Sequence, residues 1–233
     1  MHSKLLMALF ALLMTASLAS AATLESASPM GNGGPGATIT RELVPLFCQM
    51  PDPAGTGLSS QIDFVYPFDS GVVDDYVADA SGLAVNAMDW WGQYWNYSTF
   101  ANSDYYVVSF YLDNGTCYPG GLLSTQDVTT FTETYDATNA WYAVSASIAD
   151  VAQTPGQRYW VEVQSVLEFT PNGQWGWQTC IAEGGDCGAP LQGFPLLGIP
   201  YWTAQAYIGM AFCLYNDTIA VEENTVSSVK SLY

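Results

Sequence analysis

The chain has 233 residues and a formal charge of −18, with four Lys or Arg against 22 Asp or Glu. A surface this acidic repels nucleic acid and anionic lipid, so neither is expected as a partner; it favours cations, calcium above all. Aromatic residues make up 14% of the chain, with eight Trp and fifteen Tyr, more than core filling alone usually asks of this length.

The first 21 residues have the pattern of a secretory leader. Lys4 precedes the apolar run Leu5 to Leu13, and Ala19-Ser20-Ala21 is a cleavage site, so the mature chain is expected to begin at Ala22. The run is too short to span a bilayer, and no later stretch is apolar for long enough. A secreted, extracellular protein without a membrane span is the expectation. His2 leaves with the leader and is the one histidine. Its loss excludes Ser-His-Asp and Cys-His catalysis and histidine-ligated metals. Glu162, Glu168 and Glu183 remain as acids, but nothing in their spacing selects a facing pair for glycoside hydrolysis. No catalytic residue is therefore assigned.

Residues 22–42 form a Gly-, Ser- and Pro-rich lead-in, whose composition cannot bury a core and predicts a flexible segment. Residues 43–219 carry the domain. In them apolar residues alternate with period two. Tyr106, Val108, Phe110 and Leu112 share one face; Tyr159, Val161 and Val163 another; Ala206, Ile208, Met210, Phe212 and Leu214 a third. Turn chemistry separates these runs at Asp113-Asn114-Gly115, Pro119-Gly120-Gly121, Pro155-Gly156 and Pro171-Asn172-Gly173. Many short strands so punctuated predict an all-β, antiparallel sandwich of jelly-roll type, with no helix in the body. Residues 220–233 read as a tail, in which Val226, Val229 and Leu232 have helical spacing.

Five cysteines in an exported chain predict disulfides. Cys180 and Cys187 flank the turn-like Glu183-Gly184-Gly185-Asp186 and are expected to pair. Cys48 could meet Cys213 in the final strand, which leaves Cys117 as the odd thiol.

The segments Trp90-Trp91-Gly92-Gln93-Tyr94-Trp95, Gln174-Trp175-Gly176-Trp177 and Tyr201-Trp202 concentrate the aromatic rings. Exposed rings beside acids and amides hold sugars, the ring taking the apolar face and the polar groups the hydroxyls. Trp91, Tyr94, Trp95, Trp175, Trp177 and Trp202 are the platform candidates. Asp74 and Asp75, with Asp69 and Asp79 nearby, are candidate calcium ligands, though no D-x-D-x-D-G loop accompanies them.

Val73-Asp74-Asp75-Tyr76, Trp90-Trp91-Gly92-Gln93-Tyr94, Phe110-Tyr111-Leu112-Asp113, Pro119-Gly120, Tyr159-Trp160, Trp175-Gly176-Trp177 and Ala211-Phe212-Cys213-Leu214-Tyr215 follow one another in that order. Between Ile62 and Tyr215 this resembles a family of secreted bacterial β-sandwich modules, similar to jelly-roll, galactose-binding-like domains. Tyr76 stands where that pattern has Phe. The resemblance implies no catalytic residues. Two main expectations follow: a non-catalytic module binding a glycan or cell-surface component through aromatic residues, or a structural subunit that contacts copies of itself in a filament, layer or matrix. An acid-only carbohydrate-active enzyme is the remaining alternative.

Overall fold

A computed structural model describes residues 38–66, 68–96, 103–182, 184–194, 199–207 and 209–222. The secretory leader, most of the lead-in and the helical spacing of the tail lie outside these residues. The elements are β1 (Thr38–Gln49), β2 (Gly57–Ser59), β3 (Gln61–Asp63), β4 (Phe68–Val77) and β5 (Val85–Trp95). Next come β6 (Tyr105–Asp113), β7 (Pro119–Val128), β8 (Thr132–Asp136), β9 (Trp141–Val151) and β10 (Arg158–Val166). A helical turn, α1 (Phe169–Asn172), precedes β11 (Gln174–Gln178), β12 (Leu191–Phe194), β13 (Ile199–Ala204) and β14 (Phe212–Glu222). Leu43–Ile219 form one compact unit.

The fold is an all-β sandwich of two seven-stranded sheets. In the first, β5 is central, pairing β14 and β11 along one side and β9 along the other. β8 extends the sheet beyond β9, β2 beyond β11 and β1 beyond β14. The second sheet runs β13-β12-β4-β3-β10-β6-β7. Its pairings are antiparallel except β3 with β10, which is parallel.

Period-two alternation explains why two layers form. Alternate side chains point to opposite faces, so each sheet has one apolar face to bury. Val72 and Tyr76 of β4, Val108 and Phe110 of β6, and Val161 and Val163 of β10 meet Met88, Trp90, Trp177 and Phe212 of the first sheet in one core cluster. Aromatic rings fill it edge to face: Tyr106 sits 5.0 Å from Trp90, 5.4 Å from Trp175 and 5.1 Å from Phe131 between ring centroids.

Pro171-Asn172-Gly173 separates β10 from β11 as expected, in a turn closed by Gly173 N–H donating to the Phe169 carbonyl. Two expectations are corrected. β1 begins at Thr38, inside the segment expected to be a flexible lead-in. The disulfide expected between Cys180 and Cys187 does not form: Cys187 is bonded to Cys117, and Cys180 is a buried residue in neither disulfide. The reason is that Thr179 and Cys180 still follow the first sheet, bridging Met210 and Pro51, whereas Cys187 has crossed to the outer face of the second sheet, where Cys117 arrives from the turn after β6. Cys48 is bonded to Cys213.

Candidate ligand groove beside the first sheet

The aromatic motifs divide by strand parity. On β5, Trp90, Gly92 and Tyr94 face the core, while Trp91, Gln93 and Trp95 face outward and stay partly exposed. The expected platform roles of Trp175, Trp177 and Tyr94 are corrected. Both β11 tryptophans are 0% exposed, because Gln174–Gln178 is a paired strand and not an open turn. Trp177 Nε1 donates to the Ala211 carbonyl at 2.8 Å. The Tyr94 hydroxyl is 2.7 Å from Ser103 Oγ and donates to Glu133 Oε1 at 2.9 Å, where the Tyr106 hydroxyl also donates. Desolvation pushes the Glu133 carboxyl up.

Two glycines explain the spacing of the motifs. A Cβ on Gly92 would overlap the indole of Trp175 in the core. A Cβ on Gly176 would overlap the benzo edge of Trp95 on the outer face, and one on Gly57 would lie 3.0 Å from the same ring. W-W-G and W-G-W are thus reciprocal packing motifs: each strand's glycine receives the other strand's tryptophan. Trp95 is fixed there by its Nε1, which donates to Gln174 Oε1 at 3.1 Å; Asn96 Nδ2 donates to the same oxygen at 3.1 Å.

Gln174 also lines a cleft of about 350 Å³ with Gln61, Asp63, Tyr66, Phe169 and Thr170. Its volume lies near the lower end of ligand pockets, roughly 300–1,000 Å³. Tyr66 is 72% and Phe169 39% exposed, with ring centroids 6.5 Å apart. Asp63 builds the cleft rather than serving a ligand: its Oδ1 accepts from Val65 N and Tyr66 N at 2.8 Å each, and Oδ2 from Phe169 N at 2.7 Å. Gln61 is likewise committed, accepting from Trp175 N at 2.8 Å. The carbonyl oxygen of Gln174 is taken by Trp95 and Asn96, so its amide donors are what it has left for the cleft.

Of the six expected platform residues, Trp91 and Trp95 therefore share a face, and Trp95 adjoins the cleft. Trp202 lies on β13 of the second sheet, beside Tyr111 with ring centroids 6.3 Å apart. Tyr66, Phe169 and Gln174 were missed. The signal available was Phe64-Val65-Tyr66-Pro67, an apolar run ended by proline and too short for a strand of its own.

Asp74 and Asp75 cannot hold one ion together, because adjacent residues on β4 point to opposite faces. Asp74 enters the core, where Oδ2 accepts from Gln49 Nε2 at 2.8 Å and Met210 N at 2.7 Å. Burial pushes its carboxyl up to about 8. Asp75 lies on the outer face, 3.4 Å from Arg158 Nε. Arg158 also pairs with Asp186 at 2.6 Å and approaches Asp113 at 3.8 Å. Asp75, Asp186 and Cys187 bring three donor atoms together. The set does not suit calcium: the sulfur is bonded to Cys117, and the Arg158 guanidinium already pairs with both carboxylates.

No protein family matches this chain, and no curated protein or solved structure matches it. Its class is thus defined by what has been described: a two-sheet β-sandwich, crosslinked by two disulfides, with a cleft lined by Tyr66, Phe169 and Gln174. Among the described residues no helix is long and apolar enough to cross a membrane.

Proposed function

We propose that the protein is a secreted, non-catalytic module that binds a glycan at the Tyr66–Phe169 cleft and across the outward rings of Trp95 and Trp91. The observation that carries this reading is Gln174, which fixes the Trp95 indole and lines the cleft. Rings offer the apolar faces of sugars a surface, and Gln93, Gln174 and Asn96 offer amides to hydroxyls. Disulfides persist in oxidising compartments, which supports export. The test is retention on insoluble and soluble glycans. Tyr66→Ala and Trp95→Ala should each weaken retention severalfold. Tyr66 is so exposed that its removal should leave the melting temperature unchanged. Full retention by both variants would refute the reading.

A second reading, assembly of copies, is favoured by β7. It is an edge strand of the second sheet, and on it Leu122 is 57% and Leu123 41% exposed. An open edge of low charge is a template for another strand. Sedimentation would detect the assembly, and Leu122→Lys should abolish it.

A further inference from the structure

The outer face of the second sheet holds a half-satisfied carboxylate. Glu162 on β10 is 2% exposed. The Tyr111 hydroxyl donates to its Oε2 at 2.6 Å, but Oε1 is buried with no hydrogen-bond partner. Burial, with repulsion from Asp69, pushes this carboxyl up to about 7. Buried acceptors are rarely left without a donor, and each exception calls for a physical account.

The surroundings of Oε1 are specific. It lies over Gly71, where a Cβ would overlap it. The same Cβ would be 3.6 Å from the Trp202 ring. Oε1 and the Trp202 ring thus both border the space over Gly71, and Tyr111 is set at a steep angle to Trp202. Trp202 has φ 67°, a left-handed conformation that costs a bulky residue energy. It sits on β13, the other edge strand of this sheet.

What Oε1 lacks is a donor, and the chain has little to offer. Arg158, four residues away on the same strand, is engaged by Asp75, Asp113 and Asp186. Asp69, the acid nearest in effect to Glu162, is held by Gln164 Nε2 at 2.8 Å. Two rings and a carboxylate in a chain of charge −18 describe a receptor for an organic cation.

We propose that Glu162, Tyr111 and Trp202 form a binding site for a protonated primary amine carried on a small molecule. The ammonium donates to Glu162 Oε1 and lies against the Trp202 and Tyr111 rings, once Trp202 lifts from its place over Gly71. A neutral hydroxyl would supply one hydrogen bond but leave the carboxylate charge unpaired. A hard metal ion wants six or more oxygens, and among the described residues no three acidic donors converge on Glu162.

The test is calorimetric titration of the full chain with methylammonium, glucosamine and N-acetylglucosamine. Saturable binding of an amine, weakened by added salt and absent for the acetylated sugar, is expected. Binding of both amines assigns the site to small amines at large, and binding of glucosamine alone assigns it to amino sugars. Glu162→Gln and Trp202→Leu should each lower the affinity at least tenfold, whereas Ile181→Ala, at an exposed residue of neither site, should leave it unchanged. Tyr111→Phe, which removes only the Oε2 donor, gives an independent variant should Glu162→Gln fail to fold. Absence of saturable amine binding, equal binding of N-acetylglucosamine, or wild-type affinity in folded Glu162→Gln would overturn the proposal.

Discussion

Trp95 of β5 lies against Gly176 of β11, its benzo edge occupying the space that a side chain at 176 would need. The relationship is reciprocal, since Trp175 of β11 fills the space over Gly92 of β5 on the opposite face of the same sheet. Two neighbouring strands are thereby locked in register from both sides.

Gly176→Ala should destabilise the fold by about 1–3 kcal/mol, the usual cost of overpacking. Its Cβ would also meet the Leu58 carbonyl, 2.8 Å away, which cannot swing aside. Urea denaturation is the measurement. Gly115→Ala is not a suitable control, since Gly115 has φ 87° and is strained by any side chain; Gly121→Ala, which meets nothing within 4 Å, is.

Stability should fall as pH rises from about 4 to 8. Asp74 is held protonated to about pH 8 in the fold, whereas an unfolded aspartate ionises near 3.9. Within that window the unfolded state binds fewer protons, so alkali favours unfolding, by at most about 1.4 kcal/mol per pH unit. The stabilisation is complete below the unfolded value and lost above the folded one. Asp74→Asn keeps an acceptor for Gln49 and Met210 and should flatten this part of the dependence, raising stability at pH 8. Glu162, raised to about 7, contributes in the same direction. Denaturation curves at pH 5, 6.5 and 8 would show it.

A non-reducing peptide map should link Cys117 to Cys187 and Cys48 to Cys213. Cys180, being buried, should react with alkylating agents only after unfolding. Cys117 and Cys187 are 70 residues apart, so Cys187→Ser should cost about 4 kcal/mol on the loop-entropy relation. A map linking Cys180 to Cys187 would contradict the structure.

Arg158→Met should destabilise the protein by about 3 kcal/mol, the lower end for breaking a buried pair. Asp75 is fully buried, and its guanidinium partner would be gone. Asp75→Asn in the same background should restore part of the loss. Thermal melts of the single and double variants measure the coupling.

The layer arrangement was legible in the sequence, because period two is a local property that each strand writes for itself. Tyr159, Val161 and Val163 point inward for the same reason that they alternate. The division of Trp90 from Trp91 was equally local: consecutive residues on a strand must face opposite ways. Tertiary structure alone decided which rings stay open. Trp175 and Trp177 are as aromatic as Trp95, and their burial depends on the sheet laid over them, which no neighbouring residue encodes. The cysteine partners and the isolation of Oε1 on Glu162 were decided in the same way, by chain segments 70 residues apart and by a glycine and a tryptophan on other strands. Proximity in sequence made Cys180 and Cys187 look like a pair, but crosslinks and buried charges answer to distances in space, and those exist only once the sheets have packed.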